Sequence, residues 1–208
     1  MSNKALILLI LIALSIGLGL NMVRDKEVEA HQLSLETTVA LPSPKALTDI
    51  PKAIKNISQK APGSWQIVFL GYTSCKDICP MTMMELSRMI PGLNEHASAN
   101  VMLISADPER DDQKKADQYA THFNPSFKAV VLEENQLQTL IQQLGLSYKK
   151  IPDVKVGNDI EHSAALAILN PNLELVALVR PESFENNMVS FNEEAVIKDF
   201  SQLVNFYR

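Results

Sequence analysis

The sequence predicts an α/β domain with a mixed central sheet and helices on both faces, preceded by one transmembrane helix. Three observations favour this architecture. Residues 5–23 carry no charged side chain. From Trp65 onward, short runs rich in β-branched and aromatic residues alternate with longer amphipathic stretches. Near the C-terminus, two apolar runs are joined by Asn170-Pro171-Asn172, a tight turn that indicates an antiparallel hairpin.

The N-terminal apolar run predicts a membrane anchor over residues 1–23. A helix covering residues 5–23 rises about 28 Å, close to the ~30 Å hydrocarbon core of a bilayer. The alternative is a cleaved signal peptide, but the run is longer than the usual apolar region of about 7–15 residues. The nearest small-residue cleavage pattern, Val28-Glu29-Ala30, lies far from the end of the run. An uncleaved anchor is the favoured interpretation, and the signal peptide stays open.

Residues 24–63 lack a strong hydrophobic period, and they predict a tether followed by an irregular lead-in. Leu41-Pro42-Ser43-Pro44 favours extended backbone, because proline restricts its own φ and the residue before it. The stretch that follows mixes lysine, proline and turn formers. We expect the folded domain to begin at residue 64 and to run to residue 208.

The pattern from residue 64 onward assigns the elements of the domain in order. A buried strand is predicted from Trp65 to Gly71, and Pro80 suits the first position of the next helix. Pro91-Gly92 is expected to end that helix. Strands that alternate with helices and end in a hairpin plus a helix match a thioredoxin-like fold. The remaining predicted elements are strand 100–106, helix 111–123, strand 127–132, helix 134–146, a loop or weak hairpin over 147–162, strands 163–170 and 173–180, and helix 193–206.

Composition describes a globular protein and argues against nucleic acid as a partner. The chain has 208 residues, of which 46% are hydrophobic and 21% are charged. Its 19 basic and 24 acidic residues give a net charge of −5, and neither sign forms a long block. A nucleic-acid-binding face would need clustered basic residues. The domain is long enough to bury an adequate core without a disulfide.

The two cysteines of the chain, Cys75 and Cys79, have three residues between them. A stabilising disulfide across so short a loop would gain little entropy. One helix-like turn would place their α-carbons about 6 Å apart, and the N-terminus of a helix favours the thiolate. The pair is therefore a redox couple or part of a metal site. The usual thioredoxin-like redox motif has two intervening residues, and the third one here leaves room for a metal.

A metal held by two sulfurs should have a third ligand, and the chain offers four histidines. His31 lies in the predicted tether, and His96 and His122 fall on polar helix or loop surfaces. His162 directly precedes a predicted buried strand and lies where that strand begins. On residue pattern alone, a loop histidine without a metal role remains the simpler interpretation of His162.

Three motifs, GYTSCKDICP, ISADPERDD and EHSAALAILNP, occur in this order over residues 64–180. Together they resemble the Sco/SenC family of copper proteins, which assist assembly of cytochrome c oxidase. The resemblance implies a membrane-anchored, thioredoxin-like protein that binds copper through Cys75, Cys79 and His162. It also implies two partners, the copper-receiving subunit of a respiratory oxidase and a thiol reductant.

The chain departs from the family pattern in three places. Lys76 stands where the family commonly has proline, and its positive charge would favour a thiolate. Glu161 stands where the family often has aspartate before the histidine. Residues 47–64 replace the apolar lead-in that forms an N-terminal hairpin in the family, so the sequence gives no signal for that hairpin.

Several other side chains lie close enough to the cysteines in sequence to be candidates for metal ligands or for groups beside the metal. Asp77 is interpreted as a turn residue rather than a ligand. Tyr72 and Asp107 are candidates for groups beside the metal, with core packing and turn formation as the alternatives. Three methionines follow Cys79, and their helical spacing indicates core and groove positions rather than thioether ligands: Met81, Met83 and Met84.

The favoured function is a metallochaperone that carries copper and turns over no substrate. One alternative is a thiol–disulfide oxidoreductase, in which Cys75 and Cys79 are the catalytic redox pair. Another is a redox or copper sensor. Copper binding requires His162, whereas thiol exchange does not. A cysteine pair that cycles between oxidised and reduced states, behind an N-terminal anchor and without a transit peptide, favours the bacterial inner membrane with the domain in the periplasm.

Overall fold

Six strands form a mixed central sheet. The computed structural model describes residues 33–152, 154, 159–183 and 189–207. The sheet strands are β1 (Thr38–Ala46), β2 (Trp65–Gly71), β3 (Ala99–Ser105), β4 (Lys128–Val130), β7 (Leu166–Leu169) and β8 (Glu174–Val179). They lie side by side in the order β1-β8-β7-β2-β3-β4. Two hairpins stand outside this sheet: β5 (Tyr148–Lys150) with β6 (Ile160–His162), and β9 (Glu182–Ser183) with β10 (Val189–Ser190). The helices are α1 (Lys52–Lys60), α2 (Ile78–His96), α3 (Gln113–Phe123), α4 (Glu134–Gln143) and α5 (Glu193–Phe206).

The predicted α/β class with a mixed central sheet is confirmed. β2, β3 and β4 are parallel, while β7 is antiparallel to both β2 and β8. Every residue of β2 is buried, as expected for a strand covered on both faces. The predicted membrane anchor over residues 5–23 lies outside the described residues. No helix within the described ranges is long and apolar enough to span a bilayer.

The helix after the cysteines is longer than predicted. It was expected to stop at Pro91-Gly92, but α2 continues through both residues to His96. A Cβ at Gly92 would lie 2.7 Å from Ile197 Cδ1 on α5, so the two helices approach closely here. Leu93, one residue further along, is buried. Tertiary packing against α5 therefore outweighs the local cost of a proline within the helix.

The segment predicted as tether and irregular lead-in also differs from the structure. Thr38–Ala46 is an edge strand that pairs antiparallel with β8, and its register shifts between Ala40 and Lys45, where both prolines fall. An edge strand tolerates proline because its outer side needs no partner. Asp199 of α5 accepts hydrogen bonds from the backbone N–H groups of Glu36, Thr37 and Thr38 at 2.9–3.1 Å. The folded domain therefore begins well before residue 64.

The carboxyl ends of two parallel strands define the edge where the cysteines lie. Gly71 at the end of β2 is in register with Ser105 at the end of β3. The loop to α2 follows Gly71 and contains Cys75, and residues 106–112 follow Ser105. The hairpin of β5 and β6 was predicted only as a loop or weak hairpin, and it ends on His162. Open α/β sheets usually carry their sites at this edge.

Candidate metal centre

Cys75 and Cys79 lie on either side of the start of α2. Cys75 is in the loop after β2 and is 9% exposed, whereas Cys79 is in the first turn of the helix and is fully buried. The backbone N–H of Cys79 donates to Cys75 Sγ at 3.4 Å. Both thiols are free. The helix start therefore presents an amide hydrogen to the sulfur of Cys75, which favours the thiolate there.

His162 approaches the cysteines from the hairpin of β5 and β6. Its Nε2 lies 3.1 Å from Cys79 Sγ. Its Nδ1 lies 3.1 Å from the carbonyl oxygen of Ser163. A carbonyl oxygen only accepts, so Nδ1 carries the proton in the neutral ring and Nε2 directs its lone pair toward the sulfurs. The structure thus brings together the three residues singled out in the sequence, with one ligand atom from each lying within 4.8 Å of the others.

Two aromatic rings hold the imidazole in place. Phe69 of β2 and Tyr72 just after it both meet the ring of His162 edge-on, with centroids 5.8 Å apart in each case. Tyr72 is buried, and burial, followed by the nearby charge of Cys75, raises the pKa of its hydroxyl. The predicted position of Tyr72 beside the ligands agrees with this geometry.

The two thiols have opposite electrostatic environments. A hydrogen bond with the Cys79 thiol lowers the pKa of Cys75 to about 4; burial opposes this, and hydrogen bonds with the backbone of Asp77 and Cys79 support it. Burial raises the pKa of Cys79 above its ordinary value of 9.0, and the adjoining Cys75 raises it further. Without a metal, the pair therefore holds its negative charge on the more exposed sulfur.

Asp111 fixes the cysteine loop to the neighbouring loop. This buried carboxylate accepts hydrogen bonds from the Thr73 N–H at 3.0 Å, from the Thr73 hydroxyl and from Ser105 Oγ at 2.7 Å. Burial by itself would raise the pKa of Asp111, but these bonds and one from Lys115 hold it below its ordinary value. Sequence reasoning missed this role, although the acidic run after β3 in ISADPERDD was its available signal.

Gly71 makes room for the buried sulfur. A Cβ at this position would lie 3.2 Å from Cys79 Sγ and 2.8 Å from Phe69 Cε1. Both separations are shorter than ordinary van der Waals contact between such atoms. The glycine of GYTSC therefore has a packing role at the site that the sequence did not reveal.

Two acidic residues considered beside the cysteines have different positions. Asp107 is buried and forms an ion pair with Arg110, which also binds Asp159 at 2.7 Å. It therefore supports the loop after β3. Asp77 and Lys76 are exposed, and Asp77 is not one of the clustered ligands.

The methionines and the other histidines do not join the cluster. Met83 is fully buried in the core, while Met81 and Met84 are 37% and 54% exposed on α2. The remaining histidines in the described ranges are His96 in the last turn of α2 and His122 in the last turn of α3. His31 lies outside those ranges. Within the described part of the chain, Cys75, Cys79 and His162 form the single group of three or more clustered His, Cys, Asp or Glu ligands: two sulfurs and one nitrogen.

A family model and several known proteins are similar to this chain in sequence. The family model described as SCO1/SenC matches residues 54–196. A protein of Stutzerimonas stutzeri named "Putative copper-binding protein" is 32% identical over 120 residues, which cover 57% of this chain and 59% of that protein. The Arabidopsis thaliana "Protein SCO1 homolog 1, mitochondrial" is 25% identical over 142 residues, which cover 67% of this chain and 41% of the relative. The chain therefore matches about half of the length of these relatives.

Solved structures share the fold. Apo Sco1 from Thermus thermophilus superposes with a TM-score of 0.62 at 24% identity, covering 83% of this chain and 98% of that one. Arabidopsis thaliana ScoI with copper bound gives a TM-score of 0.58 at 22% identity, covering 70% and 89%. These likenesses confirm the predicted thioredoxin-like fold.

Proposed function

The chain belongs to the SCO1/SenC family, and from that premise we propose that it carries copper and assists assembly of the copper site of a respiratory cytochrome c oxidase. The observation that carries the proposal is the convergence of Cys75, Cys79 and His162 at one edge of the sheet. Copper is the cargo of this site, and its recipient is the copper-receiving subunit of the oxidase.

The ligand chemistry suits copper better than zinc. Thiolates are soft ligands and select copper(I), and an imidazole is also compatible with copper(II). A structural zinc site normally takes four protein ligands, whereas three are gathered in the described part of this chain. Nε2 of His162 supplies the nitrogen, because its Nδ1 is engaged with Ser163 O. Copper binding would release the proton of Cys79, since both sulfurs must be thiolates to ligate.

The position of the ligands supports transfer of the metal rather than permanent storage. Cys75 is in a loop and keeps 9% exposure, and His162 is half-buried, so both lie nearer the solvent than Cys79. Cys79 alone is fully enclosed. A recipient could therefore replace the outer two ligands in turn while Cys79 retains the ion, and release would follow when the third bond breaks.

A second candidate function, thiol–disulfide exchange, is favoured by the opposite pKa shifts of the two thiols. The Cys75 thiolate would attack one sulfur of a partner disulfide and release the other as a thiolate. Cys79, on losing its proton, would then attack Cys75 Sγ and release the partner's second thiolate. The partner gains two electrons, and the Cys75–Cys79 disulfide formed here requires a thiol reductant to reopen it. The two functions use the same sulfurs and are compatible.

The cellular setting is part of the proposal. We expect residues 5–23 to anchor the protein in a bacterial inner membrane, with the domain in the periplasm. The support is the uncharged length of this segment and a cysteine pair whose chemistry needs alternation between oxidised and reduced states.

The test is complementation of a deletion strain by the full-length His162→Ala protein, beside a dithiol titration of the purified chain. If copper delivery is the function, the variant should lose oxidase assembly while its disulfide still forms and reduces. His122→Ala is the matched control, because His122 is exposed on α3 and outside the cluster. Full complementation by His162→Ala, with its copper binding lost, would reject the chaperone function and support the oxidoreductase.

A further inference from the structure

The histidine ligand is not part of the six-stranded sheet. β5 and β6 form their own two-stranded sheet, in which Tyr148 pairs with His162. The ladder bonds of the central sheet therefore do not fix the distance between the imidazole and the two sulfurs. That distance depends on how this hairpin is held against the rest of the domain. Ile160, which is buried, supplies an apolar contact.

Two ion pairs join the hairpin to residues 107–111, which we call the β3 loop. Arg110 Nη1 lies 2.7 Å from Asp159 Oδ2, directly before β6. Lys150 Nζ of β5 lies 2.9 Å from Glu109 Oε1. The pairs differ in exposure: the Arg110 and Asp159 side chains are 31% and 17% exposed, against 40% and 76% for Lys150 and Glu109. Exposed pairs contribute little, so the Arg110–Asp159 pair is the stronger of these two connections.

The same β3 loop also holds the cysteine loop. Asp111 accepts hydrogen bonds from the Thr73 backbone N–H and hydroxyl, two residues before Cys75. Arg110, its neighbour, binds Asp107 through Nε and Asp159 through Nη1. One short loop thus contacts the segment that carries a sulfur ligand and the segment that carries the nitrogen ligand.

We infer that Arg110 and Asp159 are positioning residues that set His162 Nε2 against the two sulfurs, an inference that rests on the proposed copper function. The guanidinium is suited to this task because its planar fork can bind two carboxylates in different directions at once. A lysine at position 110 offers a single ammonium and cannot reproduce both contacts in the same geometry. Asp159 is three residues before His162 and directly precedes β6, so a shift of its carboxylate moves the ligand strand directly.

Loss of this positioning should affect the affinity for one oxidation state of copper more than for the other. Two thiolates can hold copper(I) in linear geometry, whereas copper(II) depends on the nitrogen ligand. Loss of the Asp159 contact should therefore weaken copper(II) binding on the order of 10–100-fold, the usual effect of removing a group that orients a metal ligand. Copper(I) affinity should change much less.

The experiment measures the affinities of copper(II) and copper(I) for the reduced full-length chain in detergent. The variants are Asp159→Ala, Asp159→Asn and, as a second route to the same contact, Arg110→Lys. Lys150→Ala is the matched control, because it removes the exposed ion pair between the same hairpin and the same loop. The thiolate-to-copper(II) absorption band and thermal unfolding of the metal-free chain are recorded for each.

We expect Asp159→Ala and Arg110→Lys to lower the ratio of copper(II) to copper(I) affinity and to alter the absorption band. Asp159→Asn should lie between Asp159→Ala and the unsubstituted chain, because an amide oxygen still accepts a hydrogen bond. Lys150→Ala should leave the ratio unchanged. Equal losses for both copper ions, equal effects of the Ala and Asn variants, or a ratio unchanged in Asp159→Ala would overturn the inference. Failure of the unsubstituted chain to bind copper would instead reject the proposed function.

Discussion

Replacing Asp111 by asparagine should destabilise the domain and loosen the cysteine loop. The carboxylate is buried, and it accepts hydrogen bonds from the Thr73 backbone N–H, the Thr73 hydroxyl and Ser105 Oγ. Asparagine has nearly the same shape, so the change tests the charge and the acceptor capacity of this residue. It does not open a cavity.

The size of the effect follows from these contacts. Oδ2 accepts from the Thr73 N–H and from Ser105, and an amide oxygen there would keep both bonds in weaker, uncharged form. The amide nitrogen would face the Thr73 hydroxyl and Lys115, where the carboxylate now accepts. Hydrogen bonds to charged groups contribute about 1.5–3 kcal/mol against about 1 kcal/mol for neutral ones. Lys115 is 46% exposed and adds little. We therefore expect a loss of about 2–3 kcal/mol in the free energy of unfolding.

The stability difference between the unsubstituted chain and Asp111→Asn should become smaller as the pH falls. The pKa of Asp111 is lower in the folded protein than its ordinary value of 3.8. A carboxyl group of this kind contributes stability above its unfolded pKa and loses it as pH falls through the folded pKa. The stability difference between the two proteins should therefore be full above about pH 4 and should shrink in stronger acid.

The assay is urea unfolding of the metal-free chain at several pH values. Asp112→Asn is the control, since Asp112 is exposed and caps α3 through a bond from the Lys115 N–H, and asparagine caps a helix equally well. It should change the stability by only a few tenths of a kcal/mol. Equal stabilities of Asp111→Asn and Asp112→Asn at neutral pH would refute the role assigned to Asp111.

Three further predictions follow from the site and the anchor. Gly71→Ala should lower the free energy of unfolding by about 1–3 kcal/mol, because the added Cβ would crowd Cys79 Sγ and Phe69. A variant as stable as the unsubstituted chain in urea unfolding would contradict that packing. In the reduced, metal-free chain, alkylation of Cys75 by iodoacetamide should rise with pH through about 4 and be level by pH 7, because its pKa is lowered to that value; a midpoint near 9 would show an ordinary thiol. Residues 5–23 should keep the protein in membranes through salt and alkaline washing, whereas soluble mature protein beginning near residue 31 would identify a signal peptide.

The cysteine pair was predictable because its geometry is local. With three intervening residues at the entrance of a helix, Cys75 in the loop and Cys79 in the first turn lie close together, whatever the rest of the chain does. His162 is 83 residues from Cys79, and no local rule joins them. Its convergence on the sulfurs could be expected only through the family resemblance. The contacts of Arg110 with Asp159, 49 residues apart, gave no sequence signal at all.

The errors in the fold have a common cause, which is tertiary contact overriding local preference. Pro91-Gly92 signals a helix end, yet the close approach of Ile197 makes a glycine within the helix favourable there. The prolines between Ala40 and Lys45 suggest an unpaired tether, yet they fall where the edge strand shifts register and needs no bonds. In both places the element that makes the contact is more than 100 residues away in sequence. It is α5 for the helix and β8 for the edge strand.

The central claim is that Cys75 and Cys79 hold the copper, with His162 as the third ligand. The most direct test is the copper stoichiometry of the purified full-length chain, measured after reduction, after oxidation to the Cys75–Cys79 disulfide, and in a Cys75→Ser, Cys79→Ser double variant. We predict one copper per reduced chain and none in the oxidised chain or in the double variant, since both thiolates are then lost. Stoichiometric copper in the double variant would contradict the account.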